Sequence, residues 1–302
     1  MDFGEIINEF EKAEITIRRD EPMSAHTSFR IGGPFSAMVF PKSEKELELA
    51  VYILKNYGQK PLLFGNGTNL LVTDDRIERI AIKTHDGVSA GTYAGEGTIV
   101  AGSGRLLSKL AVFAKERGLT GLEFAHGIPG TLGGAICMNA GAYGGEMKDV
   151  VKKVTYLDEN LTRCEATAEE LDFSYRHSLF SEKNCVILEA EVELQVGDKD
   201  EIEAKMNEFI SKRRNSQPLN LPSAGSTFKR PKEGYAAALI EEAGLKGFTI
   251  GGAAVSEKHA GFVVNQSDAT FGNVMSVIEH VQETVYKKFG ILLEPEVKII
   301  NS

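Results

Sequence analysis

Residues 127–145 read GIPGTLGGAICMNAGAYGG, with seven glycines in nineteen positions and no charged side chain. Glycine loses more backbone freedom on folding than any other residue, so such a run needs a compensating reason. One reason is tight packing of a bend between sheets. The other is a ligand that must approach the backbone closely. Outward from the run, the helical pattern LLSKLAVFAKER (106–117) leads into it, and strand-like text resumes after it at VKKVTYLD and NCVILEAEVEL. Further upstream, 35–64 reads strand, helix, strand (FSAMVF, SEKELELAVYILKNYG, PLLF). Ser43 and Glu46 suit a capping box there, Leu47, Ala50, Val51 and Leu54 form a stripe, and Gly58 sits as a C-terminal cap. Short strands follow (LLVTD, IERIAIKT, EGTIVAGSG).

Downstream, DKDEIEAKMNEFISKRR carries Ile202, Met206, Phe209 and Ile210 on one face and reads as a connector. The remainder reads as helix YAAALIEEAGL, strands FTIGGAAVS and AGFVVNQ, helix NVMSVIEHVQETVYKKFG, and strand ILLEPEVKII. No internal repeat or low-complexity segment interrupts it. The mixture predicts an α+β chain with a larger front part and a smaller domain from about residue 200 onward.

Composition narrows the function classes. The 302 residues are 42% apolar and carry a net charge of −9, so a real core is available and a nucleic-acid or anionic-membrane partner is disfavoured. Cys137, Cys164 and Cys185 lack disulfide or zinc spacing. His26, His85, His126, His177, His259 and His280 show no metal pattern either, so no metal is expected. The acidic, amphipathic N-terminus does not read as a signal or transit peptide, and no apolar run reaches the roughly 20 residues of a membrane span. The expectation is a cytoplasmic protein.

Two more glycine-rich segments are FRIGGPF (29–35) and FGNGTNLLV (64–72). The second places Gly65, Asn66, Gly67, Thr68 and Asn69 directly after an apolar strand, where successive N–H groups can form an anion-binding concavity. A plain hairpin loop is the competing reading. No Gly-Lys-Ser/Thr follows, and GxGxxG occurs nowhere, which excludes a Walker loop and a Rossmann fingerprint. Two uncharged cradles suit a dinucleotide carrying a flat ring, and without the usual nicotinamide motif a flavin is the better expectation. Among chemistry-bearing groups, SYRHS supplies Tyr175, Arg176 and His177. SAGSTFKRP supplies Ser226, Lys229 and Arg230, and ILLEPEVKII places Glu294 and Glu296 on one face of its strand. Ser226 lies outside any G-x-S-x-G elbow. Singly, each of these groups reads as a surface or turn residue.

In order, TSFRIGG, GNGTNLLV, HGIPGTLGGAICMNAGAYGGE, YRHS, AGSTFKRP, KHAGFVVN and LEPEVKII resemble the UDP-N-acetylenolpyruvoylglucosamine reductase (MurB) family from about residue 25 to the C-terminus. The short segment after Tyr175 is similar to type II members, which lack a tyrosine-bearing insertion. The resemblance implies an FAD-binding part of the vanillyl-alcohol-oxidase/PCMH type in two subdomains, 1–85 and 86–198. It also implies a smaller α/β substrate-binding domain over 199–302, whose last strand returns to the active site. It implies non-covalent FAD, NADPH as co-substrate and UDP-N-acetylglucosamine enolpyruvate as substrate.

The implied cofactor contacts are Phe64, Gly65, Asn66, Gly67, Thr68, Asn69 and Leu70 in one cradle. In the other they are Gly127, Ile128, Pro129, Gly130, Thr131, Gly133, Gly134, Asn139 and Gly141. Ser226 matches the family's proton donor, Arg176 the arginine at the enolpyruvyl carboxylate, and Glu296 the glutamate of the same site. A donating Glu296 requires a pKa raised by burial. Tyr175, Arg214, Lys229 and Asn265 are the expected substrate contacts. Oligomeric state is left open. Two rivals remain at this level: an oxidase of the same FAD fold with His126 or Cys137 tethering the flavin, and a nucleotide-binding regulatory module without turnover.

Overall fold

The computed structural model describes residues 3–84 and 92–301. His85 and the expected boundary at 85/86 lie outside the described residues. Two compact units emerge. The first comprises Met1–Arg18, Ala37–Asn66 and Arg79–Arg213, and the second Arg19–Ser36, Gly67–Glu78 and Arg214–Ser302. No helix among the described residues is long and apolar enough to cross a membrane.

The first unit holds two hydrophobic cores. In one, helix Gly4–Lys12 buries Ile6, Ile7 and Phe10, and helix Glu44–Asn56 buries Leu47, Ala50, Val51, Ile53 and Leu54. The Ser43 hydroxyl accepts the Glu46 N–H at 3.2 Å, as the capping box requires. The Glu46 carboxylate takes the N–H of Lys42 at 2.8 Å, so the reciprocal half of the box is displaced by one residue. Gly58, at φ 65°, follows the helix in the left-handed conformation that ends it. Strand Leu62–Phe64 then pairs in parallel with Ile77–Lys83, in a sheet ordered Thr16–Pro22, Pro34–Phe40, Ile77–Lys83, Leu62–Phe64.

The other core underlies a five-stranded antiparallel sheet ordered Arg163–Thr167, Val151–Leu157, Val186–Glu193, Thr98–Gly102, Thr92–Gly95. Alternation positions Ala190 and Val192 inside and leaves Glu189, Glu191 and Glu193 less buried, the period-2 pattern of a half-buried strand. Helices Leu107–Glu116 and Leu132–Cys137 contribute to this core. So does Lys199–Ser216, through Ile202 and Met206, while its Phe209 stacks on Tyr143 at 4.7 Å between centroids.

In the second unit, helix Phe271–Phe289 packs Val274, Val277, Ile278, Val281 and Val285 into a core shared with strands Ala253–Val255 and Val263–Asn265. Thr270 Oγ1 caps it by accepting the Asn273 N–H at 3.1 Å, and Gly290 at φ 70° ends it. The expected strand over ILLEPEVKII is corrected. Only Lys298–Ile300 forms a strand, in parallel with Leu70–Val72. Upstream there is an isolated bridge between Phe228 and Pro295. Proline has no N–H to donate, so the ladder is carried by its neighbours: Glu296 N donates to Thr227 O, and Lys229 N to Glu294 O, both at 2.8 Å.

Candidate active site

Within the first unit, the glycines of 127–145 divide into two kinds. A Cβ on Gly133 would lie 2.8 Å from Ser103 Cβ, one on Gly141 2.7 Å from Gly145 O, and one on Gly145 2.6 Å from the Phe124 ring. These three are needed for chain-to-chain packing. A Cβ on Gly127 would meet only Arg213 within 4 Å, and one on Gly134 only Thr131 Oγ1 at 3.5 Å. Their faces are not backed by other backbone. Thr131 Oγ1 caps the following short helix by accepting the Gly134 N–H at 3.4 Å.

The 64–72 segment is not a hairpin, because Leu62–Phe64 and Leu70–Val72 pair in different sheets. Its first half meets the glycine run. A Cβ on Gly65 would stand 2.1 Å from Thr131 Oγ1, and the Asn66 amide donates to Pro129 O at 2.6 Å. The two cradles, more than sixty residues apart in sequence, therefore face each other at Gly65–Asn66 and Pro129–Thr131.

Arg176 sits at a strained turn. Ser174 and His177 exchange backbone hydrogen bonds at 3.2 Å, and Arg176 has φ 55°. Its guanidinium lies 5.2 Å over the Tyr175 ring, itself exposed. A non-glycine residue in this region costs about 1–3 kcal/mol, a strain that clusters at functional sites. Asn139 holds the turn. It is 1% exposed, at φ 41°, and its Nδ2 donates to Ser174 O at 3.0 Å and Glu146 Oε2 at 2.9 Å. Its Oδ1 accepts the Lys148 N–H at 3.0 Å. The side chain expected at the cofactor is thus engaged by the chain itself.

In the second unit, Ser226 is exposed while Thr227 and Phe228 beside it are buried. Thr227 is pinned on three sides: its N–H donates to Gly261 O, its Oγ1 accepts the Val263 N–H, and its O accepts the Glu296 N–H. Glu296 O also accepts from Asn69 Nδ2 at 3.2 Å, and Lys298 N donates to Asn69 O at 2.9 Å. The structure therefore brings Ser226, half-buried Glu296 and Asn69 together. Behind Asn69, Gly67 at φ 61° has His26 O where a Cβ would stand, 2.1 Å away, and its carbonyl accepts the Ser28 N–H. Ser28 Oγ donates in turn to Ser223 O at 2.6 Å, three residues before Ser226.

The expected substrate contacts are more dispersed. Lys229 pairs with Glu294 at 3.1 Å on an exposed edge. Asn265 uses its amide to donate to Phe29 O and accept from Ala269 N. Arg214 is exposed, and its carbonyl accepts from Lys258 Nζ. Sequence reasoning passed over Ser103, whose Oγ is buried without a partner where its backbone abuts Gly133. AGSG after a strand was the available signal. The Cys137 thiol donates to Phe180 O at 3.4 Å. His126 Nδ1 is buried without a partner. Among the described residues no group of three or more His, Cys, Asp or Glu side chains is arranged to hold a metal.

The paired glycine cradles and the orphaned Ser103 hydroxyl fit a flat dinucleotide, and an FAD-binding domain family matches residues 35–165. That defines the class, an FAD-dependent oxidoreductase. The C-terminal domain family of UDP-N-acetylenolpyruvoylglucosamine reductase matches residues 217–300. The reductase of that name from Caldanaerobacter subterraneus subsp. tengcongensis is 50% identical over 283 residues, 93% of each chain. The one from Clostridioides difficile is 45% identical over 98% of this chain and 96% of its own. The crystal structure of UDP-N-acetylenolpyruvylglucosamine reductase from Thermus caldophilus is similar with a TM-score of 0.79 at 31% identity, over 95% of this chain and 99% of that one. The chain belongs to the UDP-N-acetylenolpyruvoylglucosamine reductase (MurB) family.

Proposed function

We propose that this protein is a cytoplasmic flavoenzyme that uses NADPH to reduce UDP-N-acetylglucosamine enolpyruvate to UDP-N-acetylmuramate, a step of peptidoglycan precursor synthesis. The observation that carries the reading is the backbone lacing of the Ser226 segment to Glu296 and Asn69, in a chain of this family. In this reading the two cores of the first unit stand for the two FAD subdomains and the chain from 199 onward for the substrate-binding part, with helix Lys199–Ser216 packing Ile202 and Met206 into the first unit.

When bound, FAD would be held by the two glycine cradles around Gly65–Asn66 and Pro129–Thr131, and after reduction by NADPH it would supply the hydride for the methylene carbon of the enol ether. The chain's own residues then manage charge and proton. Negative charge develops toward the enolpyruvyl carboxylate, and Arg176 offers a fixed fork of N–H donors to it, held in place by the strained turn. The family resemblance assigns Glu296 to the same carboxylate. Ser226 gives its proton to the adjacent carbon, completing addition of hydride and proton across the double bond. A serine hydroxyl is a weak acid, so it acts only when held within hydrogen-bond reach of a basic carbanion. The tight anchoring of Thr227 supports that role, because it fixes the backbone next to an otherwise exposed Ser226. Tyr175, Arg214, Lys229 and Asn265 complete the substrate site in this reading.

The test is anaerobic turnover with NADPH and UDP-N-acetylglucosamine enolpyruvate, product identified by mass, in wild type, Arg176→Gln and Glu296→Gln. Each variant is expected to bleach its flavin with NADPH normally. Each should reoxidise with substrate about 10²-fold more slowly or worse. Wild-type turnover in both variants overturns the assignment.

A further inference from the structure

The glycine run has no charge of its own, yet one cation is built against it. Near its C-terminal end, helix Lys199–Ser216 places Arg213 beside Gly127. A Cβ on Gly127 would stand 3.4 Å from Arg213 Cδ and 3.9 Å from its Nη1. The side chain is half-buried, and no hydrogen bond or ion pair joins its guanidinium to a described residue. Its neighbours in sequence behave differently. Lys212 pairs with Glu208 and Arg214 is exposed. Burial pushes the Arg213 guanidinium below its usual range, with Tyr143 offsetting part of the effect.

An unpaired charge taken partly out of water is destabilising, since neither hydration nor a counter-charge is complete. The chain nevertheless places this one against a glycine that has no atom other than those of Arg213 within 4 Å of where its Cβ would stand. A planar guanidinium with parallel N–H donors matches phosphate oxygens, and a protein of net charge −9 needs a local cation to hold a polyanion.

We propose that Arg213 is an anion-binding residue of the glycine run and that it takes the diphosphate of a nucleotide ligand. The inference rests on the function proposed above. Two ligands of that reaction carry the same chemistry: the flavin dinucleotide and the nucleotide-sugar substrate.

The experiment uses the full chain with Arg213→Gln and Arg213→Lys. FAD affinity is read by flavin fluorescence on reconstituting apoprotein, and KM and kcat for the enolpyruvyl substrate are read at saturating FAD. Loss of a charge-assisted contact corresponds to about 10- to 100-fold. If the FAD dissociation constant rises by that factor in Arg213→Gln, and Arg213→Lys recovers most of it, the cofactor diphosphate is the ligand. If FAD affinity holds and KM rises with kcat retained, the substrate diphosphate is the ligand. Both constants within twofold of wild type overturn the proposal, as does a lysine variant no better than glutamine. Should Arg213→Gln fail to fold, inorganic pyrophosphate is titrated into wild-type and Arg213→Met apoprotein. Thermal stabilisation of wild type that is lost in Arg213→Met supports the site, and none in wild type, or the same in both proteins, overturns it. Failure of the proposed function is separable, because it appears as absent turnover in wild type.

Discussion

Replacing Asn139 with alanine removes the brace beneath the Arg176 turn. Three hydrogen bonds are lost, to Ser174 O, to Glu146 Oε2 and from Lys148 N. At about 1 kcal/mol net for each, they sum to about 3 kcal/mol. Asn139 also sits at φ 41°, a conformation asparagine tolerates and alanine does not, which adds about 1 kcal/mol. A loss near 4 kcal/mol is a large share of the roughly 5–15 kcal/mol that stabilises a typical fold. Urea denaturation followed by circular dichroism reads it directly. Function should fall as well. A freed Ser174 carbonyl lets the turn relax, and Arg176 then leaves its strained φ of 55°. Asn139→Asp keeps the Oδ1 acceptor and the backbone tolerance but sets a carboxylate against Glu146. Its turnover is expected to fall by more than its stability. A folded Asn139→Ala protein that loses under 1 kcal/mol and reoxidises with substrate at the wild-type rate would refute the reasoning.

Gly67→Ala is expected to lose at least about 3 kcal/mol, because a Cβ there collides with His26 O and requires φ 61°; soluble yield and urea midpoint report it. Gly133→Ala should likewise be destabilised against Ser103, whereas Gly134→Ala should keep or gain stability, by up to about 1 kcal/mol, since it sits in a helix where a Cβ would make only an ordinary contact, 3.5 Å from Thr131 Oγ1. Flavin content should fall in Gly134→Ala even so, and a fully flavinated variant would show that this face is not a ligand surface. Glu123 is buried, and burial opposes its charge. Hydrogen bonds from Thr120 Oγ1 and the backbone N–H groups of Gly121 and Glu123 itself win, leaving its carboxyl below the usual range. A lowered carboxylate contributes stability above its unfolded pKa and loses it as pH falls through the folded value. The wild-type urea midpoint should therefore drop on acidification below about pH 4, and Glu123→Gln should flatten that slope.

Much of this architecture was legible because local rules and the fold agree. Ser43, the stripe from Leu47 to Leu54 and Gly58 set a helix without help from the rest of the chain. The alternation in EAEVE and the stripe of helix Phe271–Phe289 did the same for the sheet and the C-terminal unit. The end of the chain was misread because Glu294 and Glu296 alternate like a strand, while Pro295 between them cannot donate and the pairing collapses to a bridge. Glycine count announced a close approach but could not sort its causes. At Gly133, Gly141 and Gly145 a Cβ would collide with other atoms of the chain, whereas at Gly127 and Gly134 it would make only ordinary contact with a side chain; only the fold distinguishes them. Nor does composition reveal φ, so the strain at Arg176 and the bracing by Asn139 were invisible. The adjacency of Thr227 and Glu296 rests on the long-range bridge of Phe228 with Pro295 and its two flanking backbone hydrogen bonds, which no local pattern encodes.

The central claim is that Ser226 delivers the proton while the flavin cradles work independently of it. Stopped-flow absorbance isolates the two half-reactions in wild type and Ser226→Ala. NADPH should bleach the flavin at the same rate in both proteins. On mixing with UDP-N-acetylglucosamine enolpyruvate, reduced wild type should regain its flavin colour rapidly and Ser226→Ala about 10²-fold more slowly or worse. Equal reoxidation rates in the two proteins would contradict the account.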